Sequence, residues 1–205
     1  MLIKFIFPVT AILIFILLYK ITHLMDPESA FKINKKMLII CSIGFLLANI
    51  KIFMTERSLP ALFLLGIFCG YMLFNACTDL YSQDIYTAFY PVMTLIGFIY
   101  LIGVREYPLY LSITLYVIIW ILQRFLFSRY YGRGDASVLI ICSLFLGYDI
   151  IPLEENLLIN MAALFLGLVI FTVVNIFAKN MDKKLKLKKP EAFVPYIMLA
   201  TMIFI

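Results

Sequence analysis

Long apolar runs separated by short polar stretches dominate the chain. Eight stand out: roughly Leu2–Leu18, Met37–Phe53, Ala61–Cys77, Ile85–Gly103, Leu109–Phe127, Ser137–Ile151, Leu157–Ala178 and Phe193–Ile205. None alternates apolar and polar residues as a half-buried strand does, and most are long enough to cross a bilayer as a helix. The pattern predicts an all-α, polytopic helical membrane protein with about eight transmembrane helices. The sixth and eighth runs are short, which suits little tilt or a place inside the bundle. The first run lacks a small-residue cleavage site and further spans follow it, so it reads as a span rather than a signal peptide.

Composition sharpens this picture. Of 205 residues, 64% are hydrophobic and 14% charged, with mean hydropathy +1.04. A soluble domain of this length cannot hide so much apolar surface, so lipid must solvate much of it. The net charge of +5 would suit a nucleic-acid partner if it were clustered with aromatic residues. It is instead distributed by loop. Lys20, Lys32, Lys35, Lys36, Arg124, Arg129, Arg133 and the six lysines from Lys179 to Lys189 fall on one side of the predicted bundle. Only Lys4, Lys51, Arg57 and Arg105 fall on the other. The positive-inside rule makes the crowded side cytoplasmic and puts both termini outside. The lysine run then reads as a solvated loop against anionic lipid headgroups, with no nucleic acid involved.

The four cysteines, Cys41, Cys69, Cys77 and Cys142, lie in or at the edges of apolar runs, and no two have CxxC spacing. They read as small buried hydrophobes, not as a disulfide frame or a zinc site. Most carboxylates occupy loops. Three demand more: Asp79, Asp84 and Asp135. Asp79 ends the third span, with Asn75 one turn earlier on the same helical face. Asp135 opens the sixth span after "YYGRG", where Gly132 and Gly134 permit positive φ and close approach of backbone to a ligand. Two whole spans separate Asp79 from Asp135, so the chain goes out and returns. Both carboxylates therefore reach the cytoplasmic boundary of the bilayer.

Two carboxylates that share a site cannot both ionise easily; one keeps its proton while the other stays charged. Such a pair can deprotonate water and polarise a peptide carbonyl. The start of a helix favours the ionised form of a nearby carboxylate, which points to Asp135 as the charged partner. Taken singly, Asp135 also fits a helix N-cap and Asp79 a boundary residue reaching the headgroups.

Taken together, "GRGDASVLIICSLFLG" and "DLYSQDIYT" resemble the two motifs of the type IV prepilin peptidase family, the bacterial GxGD membrane aspartic peptidases. Gly132, Gly134, Asp135 and Gly147 match the second motif, and Asp79, Leu80 and Ile85 the first. "KKPEAFVPYIMLA", with Pro190, Phe193 and Pro195, is similar to the stretch before the family's last span. The resemblance covers about residues 61–205, a six-helix peptidase core, and leaves residues 1–60 as two N-terminal helices joined by a basic cytoplasmic loop. Ser137 stands where the family has lysine, and Tyr86 where it has proline. In this register Asp84 falls at a variable position.

The resemblance implies an aspartic endopeptidase of the inner membrane, with its active site facing the cytoplasm. Asp79 and Asp135 would be catalytic, and Gly132 and Gly134 would meet the substrate. The partner it implies is a prepilin-like precursor with a basic leader and a hydrophobic helix. No cofactor and no metal are expected. The short loop from Lys20 to Lys36 has no cysteine, so the family's cysteine-containing methyltransferase insert is absent. A non-catalytic pilin-assembly subunit of the same fold and a proton-coupled transporter are the alternatives.

Overall fold

The computed structural model describes residues 2–25, 35–82, 85–106, 108–127, 133–146 and 192–204. It is all-helical, with no strand among the described residues. A 3-10 turn, Leu2–Phe5, leads into α1 (Ile6–Met25). There follow α2 (Lys35–Met54), α3 (Leu59–Ser82), α4 (Tyr90–Ile99), α5 (Leu109–Ile121), α6 (Arg133–Phe145) and α7 (Val194–Phe204). A 3-10 turn at Thr87–Phe89 precedes α4. Wider π turns, Tyr100–Val104 and Leu122–Phe127, extend α4 and α5.

Four helical stretches are long and apolar enough to cross a membrane: Ile3–Met25, Met37–Met54, Leu59–Ser82 and Thr87–Val104. Ser112–Phe125, Gly134–Phe145 and Val194–Ile203 are apolar but shorter. Seven of the eight apolar runs thus coincide with helices. The seventh run, Leu157–Ala178, the lysine segment from Lys179 to Lys189, Asp84, Gly132 and Gly147 lie outside the described residues.

α3 is the centre of the bundle. Sixteen of its residues are buried, fourteen of them in an almost unbroken run from Leu65 to Asp79. α1 and α2, by contrast, bury one side only and expose Ile12, Leu13, Ile16, Leu38, Ile43 and Leu46. Lipid is the natural solvent for those faces, because apolar tails accept them as readily as a protein core does.

Without a hydrophobic drive between helices in lipid, association depends on close packing, and small residues permit it. Gly66 and Gly70 lie one turn apart on α3 and face α1. A methyl group on Gly66 would stand 2.8 Å from Thr10 Cβ and 2.9 Å from the Phe7 carbonyl oxygen; on Gly70, it would stand 2.5 Å from the Ala11 carbonyl oxygen. The pairing ascends both helices together, so α1 and α3 are parallel. Gly97 makes the same kind of seat on α4 for Leu144 of α6.

Two distinct ends emerge. At one, the Lys4 ammonium donates to the carbonyls of Phe53 and Thr55 at 2.9 and 3.0 Å, and Arg57 donates to the Tyr100 hydroxyl at 3.4 Å. Arg105 follows directly after the π turn that contains Tyr100. Three of the four cations assigned by charge counting to the outer side therefore share an end. Asp79 and Asp135 lie at the other.

The seats at Gly66 and Gly70 give a direct check. Gly66→Ala and Gly70→Ala should each push α1 off α3 and destabilise the folded chain by about 1–3 kcal/mol, the usual penalty for overpacking. A methyl on Gly103 would meet nothing within 4 Å, so Gly103→Ala should leave stability unchanged or slightly raised. Thermal unfolding in detergent would compare the three; equal midpoints would refute the close seat.

Candidate functional site

The register between α3 and α6 brings the two aspartates together. Phe68 stacks on Phe145 with ring centroids 4.3 Å apart, and the Cys142 thiol lies 3.7 Å from the Met72 sulfur. From Met72 to Asp79 is seven residues, and from Cys142 back to Asp135 is also seven. Seven residues make two helical turns, so each step returns to the same face. Antiparallel helices locked at those two contacts must therefore present Asp79 and Asp135 to each other. After burial itself, Asp79 is the neighbouring group that bears on the Asp135 carboxyl. Asp79 is only 4% exposed, whereas Asp135 is half-buried.

Asp79 is held from a third direction. Its Oδ2 accepts the backbone N–H of Val194 at 2.8 Å. Val194 opens α7, and the geometry of that helix start accounts for the bond. Phe193 precedes the helix, and its carbonyl accepts from Tyr196 and Ile197 at 3.0 and 3.2 Å. Phe193 has no side-chain oxygen with which to cap the helix. Pro195, the second residue of α7, has no N–H. The Val194 N–H would be left over in a buried place, at a cost of about 1–3 kcal/mol. Asp79 supplies the missing cap from another helix. A carboxylate also suits the positive end of the helix dipole.

The segment after Asp79 folds back over the same end. The Tyr86 ring packs on Phe74 of α3 at 5.7 Å, and Phe89 meets Phe74 edge-on at 5.8 Å. The tyrosine at the position where a proline was expected is thus used as a packing residue. One residue earlier, Ile85 lies against Gly134: a methyl on Gly134 would stand 2.8 Å from Ile85 Cδ1 and 3.2 Å from its Cβ. The two motif stretches touch.

Three sequence expectations change. First, Gly134 lies inside α6, whose helical backbone uses no positive φ there, and the close neighbour it admits within the chain is Ile85. Second, α6 begins at Arg133, so Asp135 occupies its first turn and is not its N-cap. Third, Asp135 is not alone at a helix start, because Asp79 sits at the start of α7 and accepts an N–H there. Gly132 lies outside the described residues. Asn75, fully buried one turn below Asp79, donates to the Tyr71 carbonyl at 2.9 Å. Among the described residues, no cluster of three or more metal-ligating side chains occurs.

Sequence reasoning missed Val194. The one available signal was the juxtaposition of an uncapped start, Phe193, with Val194 and then proline: a helix opening that must borrow its cap.

The Ile85–Gly134 contact carries its own test. Gly134→Ala should destabilise the chain, and Ile85→Ala should relieve that collision. The double variant should then be more stable than the sum of the single effects implies, by about 0.5–3 kcal/mol, the range for residues in contact. Strict additivity in thermal or denaturant unfolding would mean that the two motif stretches do not touch.

Comparison with protein-family models, with curated proteins and with solved structures returned no match.

Proposed function

We propose that the chain is a membrane-embedded aspartic endopeptidase of the prepilin peptidase type, with about eight transmembrane helices and its site at the cytoplasmic face of the inner membrane. The observation that carries this reading is the register of α3 against α6, fixed by Phe68 on Phe145 and Met72 on Cys142, which sets Asp79 and Asp135 at the same end of the bundle. The motifs that contain them supply the substrate class: a precursor with a short basic leader followed by a hydrophobic helix. Residues 61–205 form the peptidase core, with α1 and α2 as flanking helices.

In this mechanism the pair shares one proton. Asp79, which accepts the Val194 N–H at the start of α7, is the ionised partner, and Asp135 carries the proton. Asp79 takes a proton from a water molecule as its oxygen attacks the scissile carbonyl. Asp135 gives its proton to the carbonyl oxygen, so the tetrahedral intermediate is neutral there. Collapse of the intermediate returns that proton to Asp135, while Asp79 passes its own to the departing amine. The pair ends as it began. No metal and no cofactor enters any step.

Lateral docking of the substrate helix would rely on packing between apolar helices, since lipid offers no hydrophobic gain. The reading also gives Gly134 an indirect role: it seats Ile85, and Ile85 keeps the segment after Asp79 folded over the site.

Asp79 caps α7, so loss of activity alone would not separate catalysis from structure. Asn at position 79 keeps an acceptor for Val194 but cannot be a base. Asp79→Asn and Asp135→Asn should each abolish cleavage of a co-expressed prepilin, by at least about 100-fold given the usual size of general acid–base effects. Thermal midpoints should stay near that of the parent chain. Val194→Pro removes the N–H at a helix position that tolerates proline, exchanges the buried valine side chain for a ring, and should lower the rate without abolishing it. Full processing by both Asn variants would exclude the mechanism.

A further inference from the structure

Cys41 of α2 and Cys77 of α3 are both free thiols, and their sulfurs lie 3.3 Å apart. The Cys41 thiol also lies 3.9 Å from the Leu73 carbonyl, one turn below Cys77. The remaining cysteines are placed differently. Cys69 is buried inside α3, and Cys142 is buried between Met72 and Thr201. No other cysteine pair is in contact among the described residues.

Cys41 and Cys77 both line a cavity of about 260 Å³ between α1, α2 and α3, with Ile12, Phe15, Met37 and Leu38 among its walls. Ile12 and Leu38 are largely exposed on the outside of the bundle, where lipid would lie. The cavity is lined almost wholly by apolar side chains and is larger than the roughly 150 Å³ space known to admit a benzene ring. A thiol pair beside an apolar opening of this kind can be reached by an apolar reagent from the lipid side, whereas aqueous reductants keep most cytoplasmic thiols reduced.

We infer that Cys41 and Cys77 are a reversible redox pair, oxidised to a disulfide by a lipid-soluble quinone that enters this cavity. The step balances without any further reactant. Two S–H bonds break and one S–S bond forms. The two electrons and two protons released pass to the quinone, which leaves as the quinol. The sulfurs need to close from 3.3 Å to the covalent length of about 2.05 Å. The bridge would tie α2 to α3 two residues before Asp79. The inference rests on the thiols and the cavity, and stands whether or not the chain is a peptidase.

The test uses the reduced full-length chain in lipid nanodiscs, supplied without oxygen with a benzoquinone that carries a ten-carbon tail. Intact mass should fall by two hydrogens, with one quinol formed per chain. Alkylation in denaturant should drop from four thiols to two, and dithiothreitol should restore four. Cys41→Ser and Cys77→Ser should each prevent the change. Ile12→Trp, which fills the cavity mouth, should slow oxidation by the quinone at least tenfold while leaving oxidation by the small reagent diamide unaffected. An unchanged mass with the quinone would overturn the inference. So would bridging that persists in Cys41→Ser, or a quinone rate indifferent to Ile12→Trp.

Discussion

A carboxylate that is 4% exposed must be compensated, and Asp79 is compensated by the first amide of a helix 115 positions later in the chain. Neither group is satisfactory alone. The α7 start has no capping side chain of its own, and a buried carboxylate without a donor is costly. The bond therefore binds the C-terminal helix to the centre of the bundle at one fixed height. Much else at that end follows from it. α7 leans on α2 at Gly44, where a methyl would stand 2.6 Å from Met198 Cε. It also reaches α6, where the Thr201 hydroxyl approaches the Cys142 sulfur at 3.7 Å.

The bundle uses two kinds of helix contact, and the difference bears on the site. Where α1 meets α3 and α4 meets α6, glycines let backbone and side chain approach until an added methyl would collide. Where α3 meets α6, large side chains intervene: Phe68 on Phe145, and Met72 on Cys142. Glycine contacts fix separation, while the interleaved rings and sulfurs fix register. A slip of one residue along that interface would rotate Asp135 about 100° away from Asp79. The aspartates do not hold themselves together, since like charges resist proximity. Packing two turns further along α3 and α6 does so.

Much of this was legible in the sequence, and what was not has a physical reason. Apolar runs of membrane length announce helices because backbone groups in lipid must be satisfied within the segment. Lys4, Arg57 and Arg105 were grouped on one side by counting charges, and the structure gathers them at one end through contacts at Phe53 and Tyr100. The common height of Asp79 and Asp135 came from counting spans between them. The partner of Asp79 was not legible, because a main-chain N–H has no side-chain signature. Nor was the Cys41–Cys77 contact, which joins residues 36 apart with no motif spacing. The Gly66–Gly70 pair is a small-xxx-small pattern that could have been read as a helix-packing face. Gly134 shows in the sequence only that something comes near; that Ile85 is its neighbour within the chain is legible only in the structure.

The distribution of charge also constrains what the proposed site can attract. The cytoplasmic side of the predicted topology is crowded with lysine and arginine, which would repel a basic leader at long range, although salt screens exposed charges beyond about 8–10 Å. Attraction must therefore be local. Asp79 and Asp135 lie where low polarity screens least, and their shared net charge is the anionic feature the described structure places at that end. A basic residue near the scissile bond would feel it strongly, whereas one far along the leader would meet mainly the lysines. On this reading, leader charge close to the cleavage point governs binding, and the lysine-rich loops serve chiefly to hold the protein against anionic headgroups with its carboxylates at the right depth.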